Sequence, residues 1–363
     1  MMKIDIHKSF GKFRLDATFE AAAGLTAIFG PSGSGKTSIA KVLAGLETPD
    51  TGRIEIDDHI LFDSQHGINI PVHQRNIGFV FQEHRLFPHY SVRGNLRYGA
   101  TRNNARQKSI TIDFIIDLFG LGKLLDRQPI SLSLGEQQRV AIGRALMSGP
   151  DVLIMDEPLS SLDLHRKQDI LPLIEKLKTE LGLTIIYISH SLSEITQLAD
   201  NLVLLDNGQI KGAGPIAKLQ NRLDLLPFAG GHDAGTIVDA QVVAHDIRYY
   251  MSELETTAGE FLIPGCQYEI GRSIRIRIRA RDVALALTEP EHLSILNKFK
   301  GKVIDHRSGE SGTEELLIDV GFPLSARITR KSYEQMNIQP GSDIWVLIKA
   351  VTINATETEV QYL

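Results

Sequence analysis

The chain has 363 residues, 42% of them hydrophobic, which suits roughly two or three domains with sizeable cores. A formal net charge of −5 leaves no basic excess, which excludes nucleic acid as the main partner. One cysteine, Cys266, excludes an internal disulfide and fits a reducing compartment. The start, Met1-Met2-Lys3-Ile4-Asp5, has no apolar h-region, so no signal peptide is expected. No run approaches the roughly 18 apolar residues that cross a bilayer. If the chain serves a membrane process, another chain does the crossing.

Residues 1 to about 230 read as alternating strands and helices. Residues 23–29 form a predicted strand that feeds Gly30-Pro31-Ser32-Gly33-Ser34-Gly35-Lys36-Thr37, a match to G-x-x-x-x-G-K-[ST]. Residues 37–44 have helical character, with Gly45 as the C-cap. Strand, loop and helix in that order are the context a phosphate loop needs. Gly30, Gly33 and Gly35 let backbone approach phosphate without Cβ collisions. The loop N–H groups and the helix start favour anions, so the nucleotide-contacting set runs from Gly30 through Ser38. Lys36 is expected on the β- and γ-phosphates of ATP, and Thr37 on Mg²⁺.

Further along come Phe79-Val80-Phe81-Gln82 and a mainly helical stretch that includes residues 110–121. That stretch reads as a subdomain, about 85–148, beside the sheet. Leu132-Ser133-Leu134-Gly135-Glu136 opens its last helix. The apolar runs 152–155 and 183–188 suit strands of a parallel sheet buried on both faces. Asp156 and Glu157 follow the first run. There Asp156 can hold Mg²⁺ directly or through water, and Glu157 can polarise an attacking water. His190 follows the second run, at the sheet edge where ligands bind in such folds. Gln82 or His190 alone would carry little weight. Asp206-Asn207-Gly208 marks a hairpin between 202–205 and 209–211.

Residues 229–235 are a linker candidate, and beyond them short alternating segments dominate. Residues 236–363 read as mostly β, in small barrels or sandwiches, with a seam near Thr288-Glu289-Pro290-Glu291. In Ile274-Arg275-Ile276-Arg277-Ile278-Arg279 the period of two separates an isoleucine face from an arginine face. The arginines could form an oxyanion site; a solvated strand face is the preferred expectation.

Together these motifs resemble the nucleotide-binding subunit of ABC transporters over residues 1 to about 230. The resemblance implies an α/β P-loop ATPase domain with a helical subdomain. It implies that Gln82 links Mg²⁺ and water to the transmembrane partner, that Ser161-Leu162-Asp163 is the D-loop, and that His190 contacts the γ-phosphate. Catalysis then falls to Glu157, His190 and Gln82, and metal binding to Thr37, Gln82 and Asp156. Ser133 and Gly135 reach the ATP held by the opposite subunit of a head-to-tail homodimer. An aromatic stacks on adenine, with Phe10 as the candidate and Phe13 as the alternative. The signature departs from the family's usual Leu-Ser-Gly-Gly-Gln at Leu134 and Glu136. A working ATPase restrained by Leu134 is the expectation.

The segment from His84 to Gly99, with Arg139-Val140-Ala141-Ile142-Gly143-Arg144-Ala145-Leu146, is similar to the ATPase subunit of molybdate importers. That similarity implies two copies of an integral membrane permease and a periplasmic or extracellular oxyanion-binding protein. It places the chain peripherally on the cytoplasmic face of the bacterial inner membrane. Residues 291–363 resemble the molybdate-binding module, an OB-like β barrel, preceded by a β-rich segment, 236–290. The resemblance rests on 293–303, Leu324-Ser325-Ala326-Arg327-Ile328-Thr329 and Ile348-Lys349-Ala350-Val351. Leu296 and Val351 stand where modules known to bind the anion carry an arginine and a serine. Ser294 and Lys349 remain as donors, so molybdate binding there is expected to be weak. A barrel kept for dimer contacts is an equal alternative to a sensor. The competing readings are import of sulfate, another oxyanion or a sugar, a soluble ABC protein of DNA repair or translation, and an anion sensor or storage protein. No paired cassette or long coiled coil supports the second, and Leu296 and Val351 argue against the third.

Overall fold

The computed structural model describes residues 1–101, 110–219, 222–225, 235–309 and 312–357. Its contacts form two compact units, Met1–Ile216 and Ala217–Leu363. This boundary precedes the linker candidate, of which residues 229–234 lie outside the described residues. Among the described residues, no helix is long and apolar enough to cross a membrane.

In the first unit β1 (Met2–Phe10), β2 (Phe13–Ala21), β3 (Leu25–Phe29), β4 (Thr51–Ile56), β5 (His59–Asp63), β6 (Ile68–Asn69), β7 (Ile77–Val80), β8 (Val152–Asp156), β9 (Thr184–Ile188), β10 (Asn201–Asp206) and β11 (Gln209–Pro215) form one sheet. Its order is β6-β5-β4-β1-β2-β11-β10-β3-β9-β8-β7, and the run from β10 to β7 is parallel. Every residue of β3 and β8 is buried, which is why both are apolar without alternation. The β1 and β2 strands instead alternate, burying Met2, Ile4 and Ile6, and Leu15, Ala17, Phe19 and Ala21. The Asn-Gly hairpin forms as expected, with φ of 46° at Asn207 and 78° at Gly208. A Cβ on Gly208 would stand 2.0 Å from Arg14 O, so this turn needs glycine for space as well as for backbone conformation.

The helices are α1 (Lys36–Ala44), α2 (Val92–Ala100), α3 (Ile112–Leu118), α4 (Leu134–Leu146), α5 (Leu164–Leu181) and α6 (Leu192–Leu198). Gly45 ends α1 in the left-handed conformation, as its sequence position suggests. The α2 and α4 helices approach closely, since a Cβ on Gly99 would lie 2.2 Å from Arg144 O. The fully buried Asn95 then binds the backbone after Gln82. It accepts from Phe87 N–H at 2.9 Å and donates to the carbonyls of Phe87, Tyr90 and Ser91. Arg144 donates to the carbonyls of His84 and Arg85, two residues with positive φ. Side chains from two helices thereby hold a strained segment in one shape.

The second unit is mainly β and OB-like, with a short helix over Arg330–Met336. One sheet runs β14 (Gly259–Pro264), β13 (Met251–Thr256), β12 (Gly235–Asp246), β15 (Ser273–Arg279), β21 (Asn354–Glu357). The other runs β16 (Val283–Ala286), β20 (Asp343–Ile348), β17 (Asn297–Ser308), β18 (Thr313–Asp319), β19 (Pro323–Thr329). The two sheets share one hydrophobic core, from Val238 and Ile276 to Leu316 and Ile348. The seam near Thr288–Glu291 separates no two cores. The β16 strand, before it, pairs with β20 (Val283 opposite Ile348), and β21, beyond it, returns to β15 (Ile274 opposite Glu357). Asn297 ties the sheets together, accepting from Leu262 N–H at 2.7 Å and donating to Leu262 O at 3.0 Å.

The arginine face of β15 corrects the sequence expectation. Arg277 is 6% exposed, and Arg275 bonds Asp239 Oδ1 at 3.3 Å through Nε. A solvated face was expected because alternation reports only that two faces differ. Arg277 is buried while Arg275 and Arg279, on the same face, are half-buried, so this face is neither freely solvated nor an open row of arginines.

Candidate nucleotide site

The loop from Gly30 to Gly35 joins the end of β3 to the start of α1, at the carboxyl edge of the parallel strands. Gly33 and Gly35 have φ of 80° and 106°. Gly30 is required for space, because a Cβ there would fall 2.0 Å from Leu205 O. The loop is fixed from β10 and its hairpin, since Gly208 N–H donates to Ser34 O at 2.9 Å. Ser34 Oγ is buried and has no hydrogen-bond partner among the described residues. The ring of Phe13 lies over Gly35, whose Cβ would be 2.9 Å from it, while Phe10 sits 6.3 Å from Phe13, ring centre to ring centre.

Lys36 is 5% exposed and turns back on the loop, donating to Gly30 O at 2.8 Å and Pro31 O at 2.9 Å. Burial pushes its ammonium below the usual lysine range, while the charges of Glu157 and Asp156 oppose that shift. Asp156 ends β8, and its Oδ1 accepts from Thr37 Oγ1 at 3.1 Å. Burial also pushes this carboxyl upward, against the Thr37 hydrogen bond. A carboxylate beside a hydroxyl, next to a loop that prefers anions, offers a pair of oxygen donors to a cation, with Lys36 and Lys41 as the positive charges nearby. Few protein oxygens beside substrate phosphates is the donor set Mg²⁺ commonly takes, so these residues fit that ion.

Glu157 has a φ of 47°, and its N–H is held by Ile188 O at 2.9 Å. Left-handed backbone at a non-glycine residue is costly and marks a fixed position. Its Oε2 lies 3.4 Å from His190 Nδ1. Gln82 reaches the same group through Ser160, with Nε2 to Oγ at 3.4 Å, and Ser160 Oγ donates to Glu157 O at 3.0 Å. Lys36, Thr37, Asp156, Glu157, His190 and Gln82 thus come from four separate stretches of chain into one cluster.

The signature is not drawn into that cluster. Ser133 is the N-cap of α4 in a reciprocal capping box: its N–H donates to Glu136 Oε2 at 2.7 Å, and its Oγ accepts from Glu136 N–H at 3.3 Å. Leu134, the first residue of α4, is 42% exposed, and Gly135 is buried beside Arg166. Asp163 is the N-cap of α5, accepting from Arg166 N–H at 3.0 Å. Three contributors escaped the sequence reading: Ser160, Glu194 and Lys167. Ser160 falls three residues after Glu157, a local signal that was available. Glu194 and Lys167 carry none, since charged residues early in helices are ordinary. In the second unit Ser294, Leu296, Lys349 and Val351 are all exposed, so no enclosed set of donors forms among them.

The model of the ABC transporter family matches residues 16–160, and that of the TOBE domain matches 293–354. The molybdenum import ATP-binding protein ModC of Mesorhizobium japonicum is 44% identical over 98% of this chain and 97% of its own length. The protein of that name from Paramagnetospirillum magneticum is 41% identical over 97% and 98%. Among solved structures, cbiO1 of Clostridium perfringens, part of the ABC transporter complex cbiONQ, superposes with a TM-score of 0.52 at 27% identity. That match covers 62% of this chain and 92% of cbiO1. A dimeric ATP-binding cassette bound to ADP and Pi superposes with a TM-score of 0.51 over 60% of this chain and 99% of the cassette, and at 24% identity it shows the fold. With near-full-length relatives above 40% identity, and with both halves matching in order, the chain belongs to the ModC family of ABC-transporter ATP-binding proteins.

Proposed function

We propose that this chain is the ATP-hydrolysing subunit of an importer, coupling ATP binding and hydrolysis to uptake of molybdate through a separate membrane permease. The observation that carries the reading is the convergence of Lys36, Thr37, Asp156, Glu157 and His190 at one sheet edge, in a chain whose relatives are named for molybdenum import. The chain works as a homodimer on two permease copies, at the cytoplasmic face of the inner membrane, and a periplasmic or extracellular oxyanion-binding protein supplies the substrate.

In this reading the loop N–H groups and Lys36 bind the phosphates, and Lys36 exchanges the Gly30 and Pro31 carbonyls for phosphate oxygens. Thr37, Asp156 and Gln82 would hold Mg²⁺, and the ion when bound would offset charge on the phosphates. Phe10, with Phe13 beside it as the alternative, stacks on adenine. Glu157 orients and deprotonates the attacking water, while His190 contacts the γ-phosphate. Ser133 and Gly135 serve the ATP of the opposite subunit. Phosphoryl transfer then proceeds by positioning and charge stabilisation. The exposed Leu296 and Val351 support at most weak molybdate binding by the carboxy-terminal barrel. The test is ATP hydrolysis by the full chain with and without Mg²⁺. Hydrolysis that persists in chelator, or in Lys36→Ala, would remove the reading.

A further inference from the structure

Hydrogen bonds bracket His190 on both sides. The Ser189 hydroxyl donates to Glu194 Oε2 at 2.8 Å and accepts from Ser191 N–H at 3.0 Å. The two neighbours of His190 are therefore joined to each other and to Glu194. Glu194 is 3% exposed, and a carboxylate so placed costs a great deal of solvation unless donors surround it. Besides Ser189 these donors are Tyr187 O–H at 2.9 Å, on the same oxygen, and the Lys167 ammonium at 2.8 Å on Oε1. Tyr187 is wholly buried on β9, and burial first, then Glu194, holds its phenol far above the usual range, so it stays a donor. Lys167 lies in the first turn of α5, its N–H bonded to Asp163 O at 3.0 Å. One carboxylate thus joins β9, the turn that carries His190, and the helix that starts at Asp163.

A buried ion pair is weak evidence for stability, because apolar groups of the same shape often serve as well. What such a network fixes is geometry. We infer that Glu194 is a positioning residue for ATP hydrolysis, holding the His190 turn against Glu157 and tying it to α5 through Ser189 and Lys167. Both of its oxygens are engaged within the protein, so its effect on the reacting atoms runs through His190, whose Nδ1 it keeps 3.4 Å from Glu157 Oε2. The inference rests on the ATPase reading above.

The experiment measures Mg²⁺-ATP turnover of the full chain for wild type, Glu194→Ala, Glu194→Gln, Ser189→Ala and Lys167→Met, each normalised to folded protein. Misplacing a reacting group by about an ångström costs on the order of 100-fold. Glu194→Ala and Ser189→Ala should accordingly lose roughly 10- to 100-fold in kcat, with the KM for ATP changed by no more than about twofold. Glu194→Gln should recover part of the loss, because its amide oxygen still accepts from Tyr187 and Ser189. If Glu194→Ala does not fold, Ser189→Ala and Lys167→Met decide, since each leaves Glu194 two of its three donors. A role in folding alone would lower Tm and leave kcat per folded molecule at the wild-type value, which overturns the inference. Wild type that hydrolyses no ATP would instead overturn the ATPase reading.

Discussion

His190 Nδ1 stands 3.4 Å from Glu157 Oε2, although the two residues end neighbouring parallel strands and are separated by a long stretch of chain. The contact sets the first prediction. Glu157→Gln should keep ATP binding and trap a dimer, because the phosphate cradle is intact and only the base is lost. Loss of one general base lowers turnover by roughly 100- to 10,000-fold. Steady-state hydrolysis with size-exclusion chromatography in ATP checks this, and normal turnover would remove Glu157 from the role.

Lys36 donates to two loop carbonyls and is no part of the hydrophobic core, so Lys36→Ala should fold. Its nucleotide affinity should fall by about tenfold or more, which is 1.4 kcal/mol for each factor of ten. Calorimetric titration with a non-hydrolysed ATP analogue measures this directly. Unchanged affinity would place the phosphates elsewhere.

Asp156 gives a prediction of opposite signs. Burial raises its pKa in the folded chain, so the stability tied to its proton is present below the unfolded carboxyl pKa and lost as pH rises through the folded one. At neutral pH the bare carboxylate is therefore a cost that bound cation relieves. Asp156→Asn should raise Tm in chelator, remove the further rise that Mg²⁺ with nucleotide gives wild type, and abolish hydrolysis. Thermal denaturation with and without Mg²⁺ and nucleotide tests it. A lowered Tm in chelator would mean that Asp156 serves the fold.

Glu136 caps α4, and the Ser133 backbone N–H first, then its hydroxyl and nearby arginines, hold its carboxyl below the usual range. For a lowered carboxyl pKa, the stability is present above the unfolded value and fades as pH falls through the folded one. Glu136→Ala should cost about 1 kcal/mol at neutral pH, and less in acid. Urea denaturation at the two pH values reads the difference, and a cost independent of pH would rule out the capping role.

Much of the candidate nucleotide site was legible because each motif is short, local and chemically constrained. The phosphate loop needs glycine for close backbone approach, β8 and β9 need apolar side chains on both faces, and the Asn207-Gly208 turn needs positive φ. What was not legible depends on neighbours distant in sequence. Arg277 sits in an alternating strand, yet it is buried, because alternation distinguishes two faces without saying what packs on either. The β16 and β21 strands cross the apparent seam because their partners, β20 and β15, are fixed by the fold of the whole unit. Glu194 reads as an ordinary acidic residue in a helix's first turn until β9 and α5 bring Tyr187 and Lys167 to it.

Uptake of labelled molybdate and sulfate tests the transport reading most directly, in cells lacking this chain and complemented with wild type or Lys36→Ala. Molybdate uptake restored by wild type and not by Lys36→Ala is the expected result, fixing both the substrate and the energy source. Sulfate uptake restored in its place, or molybdate uptake restored equally by Lys36→Ala, would contradict it.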